Sequence, residues 1–142
     1  MLKWRVAAVM WMALIFALSS ALFAPKMSFD ATLDFFGAIN YFVRKGAHAG
    51  EFAILTWLLL RSLYPRPFAL DKARLYGVMI ALIYAASDEY HQSFVPLRSG
   101  QASDVLFDAI GIVAVAYLID RLDRSGPVSL RVRLLGASPE SD

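Results

Sequence analysis

Two histidines and five carboxylates lie inside stretches of chain that are otherwise alkyl and aromatic, and their spacing is helical. Arg44, His48 and Glu51 fall within an arc of about 60° at 100° per residue. Asp88, His91 and Gln92 share a face with Glu89 at its edge, and Asp104, Asp108 and Gly111 line one stripe. Crowded carboxylates split their pKa values, so one can hold a proton near neutral pH while its neighbour accepts one. Asp88, Glu89 and Asp108 are therefore candidates for general acid and base, with Glu51 beside them and His48 or His91 as proton shuttles. The i,i+3 spacing of His48 with Glu51, and of Asp88 with His91, also suits ligands of a divalent metal such as zinc or manganese. Arg44 and Arg98 could clamp a phosphate, with Gln92 and Asp104 as further binding contacts.

Each of these readings has a plainer counterpart. The cluster could be a helix-end salt-bridge network, and Asp104 a charge favoured by a helix N-terminus. Lys45 reads as a surface residue. Ser87 has no base one turn away except through His91, which makes it a poor nucleophile.

The elements that hold these residues follow from composition. Of 142 residues, 58% are hydrophobic and 18% charged, with a mean hydropathy of +0.53. Soluble domains have about 45–50% apolar and 25% charged residues. A soluble domain this small could not hide so many apolar side chains. Disorder is excluded for most of the chain. There is no cysteine, hence no thiol chemistry, and the net charge of +2 does not suggest nucleic acid.

Four apolar segments are legible: Val6 to Ala24, about Ala47 to Leu63, about Leu75 to Phe94 and about Ala102 to Leu122. The first, at 1.5 Å per residue, covers about 28 Å, close to a bilayer core. Its polar residues are Ser19 and Ser20. Leu33, Phe36, Ile39 and Val43 predict a short amphipathic surface helix within Ser28 to Val43, between the first and second segments and running into the second. From Ser125 onward the chain reads as a flexible tail. The expected protein is an all-α integral membrane protein of four transmembrane helices (residues 1–124) with a cytoplasmic tail (residues 125–142).

Basic residues set the orientation. Ten of the 14 fall at one set of segment ends (Lys3, Arg5, Arg61, Arg66, Lys72, Arg74, Arg121, Arg124, Arg131 and Arg133). That bias predicts both termini inside the cell. Counted from those ends, Glu51, Asp88 and Asp108 lie about 18, 20 and 21 Å deep, three carboxylates at one level. Gly111 predicts a close approach of a neighbouring backbone.

These residues also form a recognisable series. Arg44-Lys45-x-x-His48-x-x-Glu51-Phe52, then Ser87-Asp88-Glu89-x-His91-Gln92-x-Phe94-x-Pro96-x-Arg98, then Asp104-x-x-x-Asp108-x-x-Gly111 resemble the VanZ-like family of small bacterial membrane proteins. One departure is Leu97, where the family often has Gly. The resemblance implies a multi-pass protein of the bacterial inner membrane and an association with low-level resistance to teicoplanin, a lipoglycopeptide. It supplies no reaction. Two readings compete: an enzyme acting on an envelope lipid or lipid-linked intermediate, and a non-catalytic lipid- or lipoglycopeptide-binding or structural membrane protein. A third, a transporter, suits the chain poorly, because the inner halves of the helices carry no polar line.

Overall fold

The structure, a computed structural model, describes residues 2–20, 33–64, 70–95 and 103–136. It is all-helical over these residues, in the order α1 (Leu2–Ser19), α2 (Leu33–Leu63), α3 (Leu70–Gln92), α4 (Asp104–Ser125) and α5 (Val128–Leu135). Local chemistry fits the helix ends. Asp71 and Asp104 stand in first turns, and Arg61 and Arg124 in last turns, as the helix dipole favours. Gly126 stops α4 with its N–H on the Leu122 carbonyl (2.8 Å), and Pro127 then fixes the chain for a new helix. Gly136, at φ 72°, closes α5 in the left-handed conformation that a side chain would disfavour.

The first four helices alternate in direction. Trp4 packs on Trp57 and Trp11 bonds to Glu51, so α1 and α2 are antiparallel. Tyr84 meets Met12 and Ser19 meets Asp88, so α1 and α3 run together. Lys45 meets Asp104 and His48 meets Asp108, so α2 and α4 also run together. α2 lies against each of the other helices, most extensively α4. The centre is packed with Ile15, Phe52, Leu55, Ala81, Ala85 and Ile112, all fully buried. At the α2–α4 seam a Cβ on Gly111 would collide with the Ala49 carbonyl oxygen. The close approach expected at Gly111 is thus made to the backbone of α2.

The outside of the bundle is apolar. Val9, Met10, Met79, Ile83, Leu106 and Leu118 are among the large alkyl side chains it exposes, Ile83 at 67% and Leu118 at 62%. Soluble monomers rarely expose apolar surface on this scale. One described helix, α1, is by length and composition apolar enough to cross a membrane. α2, α3 and α4 are longer, but their ionisable residues lower their hydropathy.

Two local expectations change. The short segment expected as a surface helix running into the second helix is, from Leu33 onward, one continuous 31-residue α2 with it, as the lack of a proline between Val43 and Ala47 allows; residues 28–32 lie outside the described residues. Within the expected tail, Val128–Leu135 is helical. Leu135 is buried against Leu60 and Ile119, and that contact docks α5 on the bundle.

Candidate functional site

α1, α2, α3 and α4 bring polar side chains together at one end of the bundle, termed here the carboxylate end. His48 stands at its centre. Its Nδ1 lies 3.8 Å from Glu51 and 3.6 Å from Asp108, and its Nε2 lies 3.9 Å from Asp88. Three carboxylates from three helices therefore surround one imidazole, as their common depth in the sequence predicts. Phe52 stacks on the ring at 5.9 Å and holds its plane.

Asp88 is 2% exposed and Asp108 1%. Asp88 Oδ2 accepts hydrogen bonds from Ser19 Oγ (2.9 Å) and Gln92 Nε2 (2.7 Å). Gln92 Nε2 also lies 3.1 Å from His48 Nε2. With the amide nitrogen as donor there, the His48 proton sits on Nδ1, between Glu51 and Asp108. Asp88 Oδ1 and Asp108 Oδ2 are buried and accept no hydrogen bond from the described residues. A buried carboxylate oxygen in that state is costly and calls for a function or a ligand.

The remaining expected residues divide. Glu89 is buried on the same turn as Asp88. Asp104 pairs with Lys45, whose ammonium also lies over the Phe107 ring at 5.7 Å. Lys45 is therefore not the surface residue its sequence context suggests, because α4 covers it. His91 turns toward α1, with Nε2 3.3 Å from Ser20 Oγ and its ring stacked on Phe16 at 4.4 Å. It does not join the His48 cluster. Of the metal candidates, Glu51 and Asp88 lie beside His48 and His91 does not; among the described residues no group of three such side chains is arranged to hold a metal ion. The Arg44 side chain and the whole of Arg98 lie outside the described residues.

Ser19 is the residue that sequence reasoning passed over. Its signal was present: Ser19 and Ser20 break an otherwise apolar run near its end. Only the parallel packing of α1 and α3 shows that this end reaches Asp88.

A bundle that buries carboxylates and exposes alkyl groups inverts the usual distribution of a water-soluble domain. The family comparison agrees with that inversion: a VanZ/LLP1 family model matches residues 4–122. The chain belongs to the VanZ-like family, a family of membrane proteins, and the matched span takes in every helix that contributes to the carboxylate end. Searches of curated proteins and of solved structures found no match.

Proposed function

We propose that this is a four-span envelope protein, with both termini cytoplasmic, whose carboxylate end opens toward the outer leaflet and engages the head of an envelope lipid or lipid-linked intermediate. The observation that carries the reading is the pair of buried oxygens of Asp88 and Asp108, flanking His48, that accept no hydrogen bond from the described residues. Five carboxylates (Glu51, Asp88, Glu89, Asp104 and Asp108) gather there, and Lys45 is paired with one of them. In this reading Asp88 or Glu89 acts as base, His48 passes the proton, and Arg44 and Arg98 hold an anionic head. Phosphoryl transfer, acyl transfer and hydrolysis are the reaction types that such groups serve.

A second reading has its own support. Asp88 Oδ2 already accepts two hydrogen bonds from neighbouring side chains, as in a network that holds helices together or in a non-catalytic binder of lipid or lipoglycopeptide.

The test compares envelope lipids by mass spectrometry, and growth in teicoplanin, for cells lacking the protein and cells complemented with wild type, Asp88→Asn or His48→Gln. The enzymatic reading expects a lipid species to accumulate in the deletion and in both variants. Lipid profiles identical across all strains would remove the enzymatic reading. A teicoplanin phenotype that persists in the variants would point to binding. Reporters after Asp142 and near Gly100 should lie on opposite sides of the membrane, the first inside; a cytoplasmic Gly100 would remove the outward-opening site.

A further inference from the structure

The geometry points to a lipid-binding groove at the other end of the bundle, for one acyl chain of an anionic phospholipid whose phosphate rests on Arg61 and Arg133. The groove runs between α2, α4 and α5 as an open slot of about 280 Å³ and is lined by Ala53, Trp57, Val115, Leu118 and Leu134. Trp57 donates its indole N–H to the Leu134 carbonyl (3.2 Å), which fixes α5 across one end of the groove and leaves hydrocarbon facing the interior. A slot of this composition suits an alkyl chain and no polar group.

The rim determines which lipid. Arg61 follows Trp57 by one turn of α2, Arg121 follows Leu118 by one turn of α4, and Arg133 adjoins Leu134. None of the three forms an ion pair with a described residue, whereas Arg74, Arg124 and Arg131 at the same end all do. The Arg61 guanidinium lies over the Trp4 ring at 4.7 Å and donates one long bond to the Arg133 carbonyl (3.5 Å). Its Nε is buried and bonds to no described residue. The guanidinium is half-buried, and it keeps a fixed positive charge one turn beyond Trp57, where a phosphate can approach its outer edge. Nine described cations (Lys3, Arg5, Arg61, Lys72, Arg74, Arg121, Arg124, Arg131 and Arg133) share this end with Asp71, Asp120 and Asp123. The surplus of positive charge selects an anionic headgroup over a zwitterionic one. The groove reading rests on the bundle lying in a bilayer and is independent of any chemistry at the carboxylate end.

Trp57 is the built-in probe. The full chain with Trp4→Phe and Trp11→Phe is placed in nanodiscs carrying brominated acyl chains either on phosphatidylglycerol or, at the same mole fraction, on phosphatidylcholine. Bromine quenches indole fluorescence on contact. The expected result is stronger quenching by the brominated phosphatidylglycerol, with an enrichment of about five-fold for each arginine engaged. Arg61→Gln should lower that preference while leaving quenching by phosphatidylcholine unchanged, and Arg61→Lys should keep part of it. Equal quenching by the two lipids would overturn the anionic site. Absence of quenching by either would remove the bilayer placement, and the groove's occupant with it, while leaving the lipid-profile test of the carboxylate end to be decided separately.

Discussion

The two ends of the bundle treat charge in opposite ways. At the arginine end Asp120 is flanked by Arg74 and Arg124, and Arg74 also reaches Asp71 (2.7 Å). Two of these three pairs are local, at i,i+3 and i,i+4, and partly exposed. Such pairs form wherever a helix presents the residues and water screens them. At the carboxylate end the acids come from three helices, four of the five are buried, and among the described residues they outnumber the cations that meet them. Charges that a helix pairs by itself are scaffold. Charges that meet only through the tertiary fold, and remain partly unsatisfied, are where a ligand has something to gain.

The largest expected effect would break the seam that positions the second group. Gly111→Val should destabilise the bundle by about 1–3 kcal/mol or more, because the new side chain meets the Ala49 backbone and not a flexible side chain. The matched control is Gly50→Ala, where an added Cβ meets nothing within 4 Å; it should leave the thermal midpoint in detergent unchanged or raise it, since a mid-helix glycine costs about 0.5–1 kcal/mol relative to alanine. Equal behaviour of the two variants would show that the α2–α4 seam is not tight.

Asp88→Asn separates site from scaffold. The expectation is lost function with a thermal midpoint near wild type or above it, the usual exchange at a strained functional position. A midpoint that falls as far as that of Gly111→Val, with function retained, would make Asp88 a structural residue and erase the contrast between the ends. Ser19→Ala should cost stability instead, by about 1–3 kcal/mol, because it removes one of the donors to the buried Asp88 oxygen. Combining it with Asp88→Asn should depart from the sum of the two, because the side chains are in contact. Smallest is Asp120→Asn at the arginine end. It should leave function intact and shift the midpoint slightly, and the shift should vanish at high salt. A salt-independent loss would show that the arginine end is buried in a way its exposed pairs do not suggest.

Much of this fold was legible in the residues. The helical character of all four apolar segments and the common depth of Glu51, Asp88 and Asp108 follow from a rise of 1.5 Å and a turn of 100° per residue, which the backbone fixes whatever the packing. The gathering of those carboxylates around His48 follows from the same arithmetic once each polar face is turned inward, because leaving it in contact with alkyl chains is too costly. The glycine at 111 announced a close contact by its missing side chain.

Other features depended on how the helices sit against one another. Lys45 reads as a surface residue in the sequence; the rotation of α2 against α4 set it on Asp104 and also let α4 cover it. His91 shares a helical face with Asp88, yet α1 lies close enough to draw it to Ser20 and Phe16. Ser19 became a partner of Asp88 because α1 and α3 run in the same direction. The chain after Ser125 has too few apolar residues to fold alone, and α5 forms where Leu135 finds a place beside Leu60 and Ile119. Periodicity fixes which residues share a face and how deep they lie. It does not fix which neighbouring helix that face meets, because that choice is made by side-chain volumes and contacts between residues distant in sequence, and those interactions exist only in the packed bundle.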